Sequence, residues 1–106
     1  MTPDARFTDL LDDLRMLGVT QSTSFGKRGM TADGKVIACF LDDSMSFRLG
    51  TGTPAHAEAL ALEGSELWDP SGMGRPFKDW VRVSVSHADS WGRFAEIALR
   101  QIRAKL

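Results

Sequence analysis

The stretch Val36–Leu41 constrains the fold more than any other part of the chain. It is the longest uninterrupted apolar run, at six residues, far short of the roughly 20 that a membrane-spanning helix needs. Just before it stands Asp33-Gly34, and such a pair between two strand-like segments is the strongest short-range signal for a β-hairpin. Because successive residues of Val36–Leu41 are apolar, both faces of the strand must be covered. The sequence therefore predicts a central strand of a sheet that is covered on both sides.

Further strands are predicted on either side of this one. Val19–Phe25 is rich in β-branched residues, Gly29–Ala32 and Lys35–Asp42 flank the hairpin turn, and Asp42-Asp43-Ser44 forms the next turn. The following segment alternates apolar and polar residues: Met45, Phe47 and Leu49 against Ser44, Ser46 and Arg48. That alternation is typical of a half-exposed strand. The sequence predicts a meander of three or four antiparallel strands.

A helix from Pro3 to about Leu17 precedes the meander. Thr2 is placed as its N-cap, with proline at the first helical position, and Gly18 as its stop. The residues expected to form its apolar stripe are Phe7, Leu10, Leu11, Leu14 and Leu17. We expect this stripe to dock on the sheet.

Two more helices are predicted in the second half of the chain. The first runs from Pro54 to about Leu62 with Thr53 as its cap, and the second is capped by Ser86 or Ser90 and reaches about Ala104. The apolar face of the last helix is Trp91, Phe94, Ala98 and Ile102. Between these helices, the short segment Glu66-Leu67-Trp68 is followed by strand pairing near Arg75–Phe77 or Trp80–Val85.

The order of these elements indicates the fold class. It is α-β(3–4)-α-β(2)-α, an α+β arrangement in which an antiparallel sheet packs against helices. A chain of 106 residues has room for one hydrophobic core, so we expect a single domain over residues 1–106. The single cysteine excludes an intramolecular disulfide framework. With no apolar block near the start, no secretory signal is predicted, and the expected location is cytoplasmic without a membrane partner.

Charge is distributed unevenly along the chain. Residues 1–71 carry a net charge of −5, whereas residues 72–106 carry +4, for a total of −1. A near-neutral total argues against a general nucleic-acid or membrane binder. The basic third is either a solvated surface or a local patch formed by Arg75, Lys78, Arg82, Arg93 and Arg100.

The sequence contains no motif that indicates catalysis, a cofactor or a metal site. The segment Gly50–Ala55 matches G-x-G-x-x-A but follows a half-exposed strand and opens a short helix, so we interpret it as a turn and a cap. Cys39 lies inside the apolar strand and is expected to be buried and inert. His56 and His87 have no partner at zinc spacing, and capping or solvent exposure is expected for both. We predict no catalytic, cofactor-binding or metal-ligating residue, and no cofactor.

Two stretches combine cations with aromatic residues or glycines. One is Phe25–Met30 and the other is Gly74–Val81. Such mixtures occur on surfaces that bind proteins or nucleic acids. The candidate interaction surface comprises Lys27, Arg28, Arg75, Phe77, Lys78 and Trp80. The alternative is structural: a strand bend permitted by glycine, and an aromatic loop that packs over the end of the sheet.

These same stretches, with the hairpin Asp33–Ala38, resemble the TfoX N-terminal-domain family, and the order of elements is similar to that of the YjbR-like proteins. The resemblance covers nearly the whole chain. It implies a fold like that of the type III secretion chaperones and no catalytic residues. The namesake of the family regulates competence for DNA uptake, and some relatives are described as DNA-binding. Full-length competence regulators carry a second, helical domain after this one.

Three functions are therefore considered. The leading hypothesis is a small non-catalytic domain that acts in regulation by binding a protein, with a homodimer as a further possibility. The second is weak DNA binding through the basic third. The third is an enzyme or a small-ligand protein, which would require a deep pocket lined by His56, His87 or Cys39.

Overall fold

Helix α1 (Pro3–Arg15) opens the computed structural model, which describes residues 2–104. The Thr2 hydroxyl accepts a hydrogen bond from the Ala5 amide at 3.1 Å, so the predicted N-cap is confirmed. The helix ends before Leu17, and the chain turns at Gly18, whose φ of +90° suits glycine. Leu17 thus leaves the apolar stripe and is 43% exposed, so its predicted docking is wrong. The buried residues of α1 are Phe7, Leu10, Leu11 and Leu14.

The remaining elements follow in the predicted order. They are β1 (Thr20–Ser24), β2 (Lys27–Ala32), β3 (Lys35–Phe40), β4 (Ser44–Arg48), α2 (Pro54–Ala61), β5 (Glu66–Trp68), β6 (Phe77–Ser84), a 3-10 helix (Val85–Ser90) and α3 (Trp91–Ala104). The six strands form one sheet in the order β1-β2-β3-β4-β6-β5, and every neighbouring pair is antiparallel. The predicted α+β fold is confirmed. No helix within residues 2–104 is long and apolar enough to span a membrane.

Two tight turns shape the first three strands. Asp33 and Gly34 have φ values of +53° and +77°, which is the primed turn that the sequence predicts between β2 and β3. Phe25 and Gly26 form a second turn of this kind between β1 and β2, with φ values of +56° and +73°. Phenylalanine is a poor residue for positive φ, which is why the sequence does not signal this turn.

An irregularity in β3 decides which side chains face the helices. Thr31 of β2 pairs with Val36 and the adjacent Met30 pairs with Ala38, so Ile37 is an extra residue in β3. The bulge lets both Ile37 and Ala38 join the core beneath the helices, while Val36 faces the other side. Cys39 also lies on that other side, fully buried.

The predicted two-sided cover of the central strand is therefore present. On one face of the sheet, all three helices contribute to a single core; its largest fully buried side chains include Trp91, Phe7, Phe47 and Phe94. Within residues 2–104, the opposite face carries no helix. We call it the helix-free face, and its small second core consists of Cys39, Trp68 and Trp80 with Val36, Leu41 and Phe77 packed against them.

Strand β4 departs from its predicted half-exposed state. Ser46 is fully buried and Ser44 is 2% exposed. Ser46 lies between Cys39 of β3 and Arg82 of β6 in the sheet, so its neighbours on the helix-free face cover it. The alternation in sequence correctly predicts that Met45 and Phe47 face one side of the sheet and that Ser44 and Ser46 face the other. The two serines are nevertheless buried, because larger side chains on the helix-free face cover them.

The entry into α3 also differs in detail from the prediction. Ser84 caps the 3-10 helix by accepting a hydrogen bond from the Ser86 amide at 3.2 Å, so Ser86 is not the cap. Ser90 directly precedes Trp91, the first residue of α3. The predicted apolar face of α3 is buried, as expected.

Candidate interaction surface

The six residues predicted to form a surface do not all lie on the same side of the sheet. A Cβ on Gly29 would lie 3.6 Å from the Cys39 sulfur, so Lys27, two residues earlier on β2, shares the helix-free face. Arg28 points the opposite way. Its guanidinium lies 5.0 Å and 4.9 Å from the ring centroids of Phe7 and Phe40 and pairs with Asp4 of α1. Arg28 thus fastens α1 to the sheet.

Phe77 and Trp80 belong to a group of four rings on the helix-free face, the aromatic cluster (Phe25, Trp68, Phe77 and Trp80). Phe25 meets Trp68 and Phe77 edge-on, with centroids 5.4 Å apart in both pairs. Trp68 also contacts Phe77 at 5.9 Å and Trp80 at 5.3 Å. Trp68 and Trp80 are buried, whereas Phe25 is 55% exposed and forms the outer surface of the cluster.

Cys39 lies beneath this cluster and is chemically protected. Burial raises the pKa of the Cys39 thiol to about 11, against a smaller lowering by the adjacent Ser46 hydroxyl. At neutral pH the group is a thiol, and its side chain packs as a small apolar residue. The expectation of a buried cysteine is confirmed.

The loop between β5 and β6 is organised by one carboxylate. Asp69 accepts hydrogen bonds from the Ser71 hydroxyl at 2.7 Å, the Gly74 amide at 2.7 Å and the Arg75 amide at 3.1 Å. It also accepts from the amides of Ser71 and Gly72. The Ser71 hydroxyl and these amides hold the pKa of the Asp69 carboxyl below its ordinary 3.8. The carboxylate thereby fixes the backbone that leads into Arg75.

This loop and the β1–β2 turn together enclose an open recess of about 440 Å³. Its lining residues are Phe25, Pro70, Ser71, Arg75 and Phe77. Phe25 and Phe77 give the recess an aromatic side, and Arg75 also lines it. Of the predicted residues, Arg75 and Phe77 meet here, and Trp80 supports them from within the cluster.

Lys78 is exposed, and a histidine holds its backbone. The His56 ring donates from Nε2 to the Lys78 carbonyl at 2.7 Å, which fastens α2 to β6. His56 is 8% exposed, so the expectation that this residue caps a helix or faces solvent is wrong. His87 similarly donates to the Glu63 carbonyl at 2.9 Å. Both histidine rings therefore have a structural role, because each donates a hydrogen bond to a backbone carbonyl.

The glycine-rich segment is a turn and a cap, as expected. Gly50 and Gly52 have positive φ, and the Thr53 hydroxyl accepts from the His56 amide at 3.2 Å. Asp79 accepts from both the amide and the hydroxyl of Thr51, at 2.9 Å and 2.8 Å. The sheet is antiparallel throughout, so the parallel β-α-β unit of a dinucleotide site is missing from residues 2–104.

A larger cleft, of about 640 Å³, lies near Arg82 and His87. Arg82 donates to the Ser44 hydroxyl at 2.8 Å and forms ion pairs with Asp43 at 3.1 Å and Glu66 at 3.4 Å. Its charge is thus already balanced by two carboxylates. No three side chains of His, Cys, Asp or Glu in the described part of the chain come together as a metal site would require.

Cations of the basic third are spread over the molecule. Arg82 lies on the sheet between two carboxylates, Arg93 of α3 pairs with Glu58 of α2, and Arg103 pairs with Asp33 at 2.9 Å. Because the helices occupy the face opposite the aromatic cluster, Arg93 and Arg75 lie on different sides of the sheet. The hypothetical basic patch is therefore divided.

Two residues of the surface were not identified from sequence, namely Phe25 as its exposed ring and Trp68 as its support. The sequence signal for a turn at Phe25 is the Phe-Gly pair before a strand. Two-residue hairpin turns usually contain Asn-Gly or Asp-Gly, so the Phe-Gly pair does not stand out as a turn. A scan against protein-family models gives no match to this chain, and a search of curated proteins finds no significant match.

Proposed function

We propose that this chain is a non-catalytic, cytoplasmic protein-interaction domain that acts in regulation, as its resemblance to the TfoX N-terminal-domain family implies. The observation that carries the proposal is Phe25, an aromatic ring exposed at the mouth of the recess and supported by Trp68 and Phe77. Aromatic residues, phenylalanine included, and arginine are enriched at the cores of protein interfaces.

The backbone of Phe25 supports a role in binding. A φ of +56° suits glycine or asparagine, and a bulky residue there costs of the order of 1–3 kcal/mol of strain. Backbone strain of this kind is concentrated at functional sites, where the side chain has a role that glycine or asparagine could not fill. The contacts of Phe25 with Trp68 and Phe77 contribute to packing, and its exposed side remains available for recognition.

The chemistry of the recess indicates the class of partner. Arg75 lines it, and the exposed residues Lys27 and Lys78 are close in sequence to Phe25 and Phe77, which also line it. The Asp69 carboxylate nearby stays ionised at neutral pH, and its oxygens accept hydrogen bonds from the Gly74 and Arg75 amides. A protein segment that places an apolar side chain against Phe25 and an acidic one beside Arg75 fits this surface.

Selection from a displayed library of random peptides tests the proposal. We expect enriched peptides to combine Asp or Glu with Phe, Leu or Trp, and to bind Arg75→Glu at least about tenfold more weakly, equivalent to about 1.4 kcal/mol. Arg100→Glu, an exposed charge reversal on α3, is the matched control and should bind as the wild type does. Failure to enrich any peptide, or equal losses in both variants, would contradict the proposal.

DNA binding is the second candidate, since aromatic rings and cations also occur on nucleic-acid surfaces. The ion pairs of Arg82, Arg93 and Arg103 weigh against it, because paired cations contribute less to binding phosphate. Addition of duplex DNA to the peptide-binding reaction distinguishes the two functions. If the surface binds proteins, the DNA should not displace the bound peptide.

A further inference from the structure

Among the described residues 2–104, no strand pairs with the outer edge of β1. Strand β1 is the terminal strand of the order β1-β2-β3-β4-β6-β5, and it pairs with β2 in regular register over all five of its residues. Its sequence, Thr-Gln-Ser-Thr-Ser, contains no charge and no proline. Natural edge strands are protected by charges, prolines, bulges or shortness, and within β1 none of these is present.

The other edge of the sheet shows the contrast. Strand β5 has three residues, begins with Glu66, and its pairing with β6 is interrupted between Leu67 and Trp68. A short, irregular and charged edge resists further pairing. The unprotected edge of β1 is therefore a specific feature of one side of the sheet.

The hairpin geometry fixes which backbone groups of β1 point outward. The two-residue turn closes on the pair Ser24–Lys27, which is the hydrogen-bonded pair of such a hairpin. Alternation along an antiparallel strand then directs the backbone of Ser22 toward β2 and that of Gln21 and Thr23 outward. The outward groups are thus placed symmetrically about Ser22.

We propose that β1 pairs antiparallel with β1 of a second copy of this chain, about a twofold axis at Ser22. In this register Gln21 of one copy faces Thr23 of the other, and each such pair exchanges two backbone hydrogen bonds. Strand β1 is complementary to a second copy of itself in this register, because the outward N–H and C=O groups of the two copies pair and β1 carries no charge. The two sheets then continue as one.

Exposed apolar side chains lie at both ends of β1. Met16 and Leu17, before the strand, are 94% and 43% exposed, and Phe25, after it, is 55% exposed. An antiparallel pair places the Phe25 end of β1 in one copy beside the Met16–Leu17 end of β1 in the other, with the Phe25 ring itself over the helix-free face. The inference shares Phe25 with the proposed peptide site, but the register follows from the backbone of β1 alone.

The test is sedimentation of the purified chain over a concentration series from micromolar to millimolar. We expect a concentration-dependent dimer. Thr23→Pro removes an outward N–H without removing a bond to β2, so the variant should fold and dissociate at least tenfold more readily. Thr23→Ala retains the N–H and should remain as dimeric as the wild type.

A disulfide reports the register independently. Facing residues of a non-hydrogen-bonded pair have Cα atoms about 4.5 Å apart, within reach of a disulfide. Ser22→Cys should therefore cross-link two copies under mild oxidation. Thr20→Cys is the control, because its two introduced thiols would be separated by four residues, roughly 13 Å along the strand. The wild type, with only buried Cys39, should not cross-link.

Three results would overturn the proposal: a monomeric wild type at millimolar concentration, an undiminished dimer of folded Thr23→Pro, or equal cross-linking of the two cysteine variants. If Thr23→Pro does not fold, the double variant Gln21→Lys with Thr23→Lys replaces it, since it places like charges opposite each other. That variant should be monomeric, and its persistence as a dimer would also contradict the inference.

Discussion

Phe25 and Trp68 lie near opposite edges of the sheet order, and their rings meet edge-on at 5.4 Å over the helix-free face. The turn between β1 and β2 therefore reaches across the face to contact β5. This contact closes a small core of Cys39, Trp68 and Trp80 on the side of the sheet that lacks helices. It also leaves Phe25 exposed beside Arg75, which is the arrangement on which the proposed function rests.

Leu14 and Leu17 form a matched pair for testing the packing of α1. Leu14 is 2% exposed in the core beneath the helices, whereas Leu17 lies past the helix end and is 43% exposed. Leu14→Ala should lower the free energy of unfolding by about 2–5 kcal/mol, the usual cost of a cavity at a buried leucine. Leu17→Ala should lower it by less than about 1 kcal/mol, since little area is lost. Urea unfolding of both variants checks this, and equal effects would contradict the observed helix end.

Cys39 should be unreactive in the folded protein. Its pKa of about 11 leaves almost no thiolate at pH 8, and its side chain is buried beneath the aromatic cluster. Alkylation followed by mass spectrometry should show slow labelling in buffer and rapid labelling in urea. Rapid labelling of the native protein would show that the cluster opens readily.

Asp69 should make stability depend on pH in acid. Because its pKa in the folded protein lies below the ordinary 3.8, its contribution is complete above that value and is lost as the pH falls through the lowered pKa. Asp69→Asn removes the titrating group, so the difference in thermal midpoint between wild type and variant should be constant near neutrality and shrink below pH 3.8. A difference that grows toward low pH would contradict the role given to this carboxylate.

The chain should bind duplex DNA weakly. A basic patch that neutralised four phosphates would give a log–log salt slope of about −3.6, and affinity would fall roughly 150-fold between about 50 and 200 mM salt. Since the cations that could form such a patch are divided between two faces, we expect no detectable complex at about 150 mM salt in a gel-shift titration. Sub-micromolar binding there, weakened by Arg75→Ala, would place nucleic acid ahead of protein as the partner.

The sequence was sufficient for the architecture because local signals agree with the tertiary structure. Asp33-Gly34 is a turn in sequence and in structure, and the stripe through Trp91 and Ile102 is buried as its spacing requires. The sequence does not show which face of the sheet Arg28 occupies, because that face depends on strand register and on packing against α1. The aromatic cluster depends on Phe25 in a turn conformation that its residue type disfavours, so no propensity rule could place that ring against Trp68.

Affinity for a selected acidic, apolar peptide in the variant Phe25→Asn tests the central claim most directly. Asparagine suits the positive φ of the turn, so relief of strain offsets the lost ring contacts and the variant should remain folded. Leu60→Asn, at an exposed apolar position on α2, is the matched control. By titration calorimetry we expect Phe25→Asn to bind at least about tenfold more weakly, a loss of about 1.4 kcal/mol, and Leu60→Asn to match the wild type. Wild-type affinity in a folded Phe25→Asn variant would contradict the account.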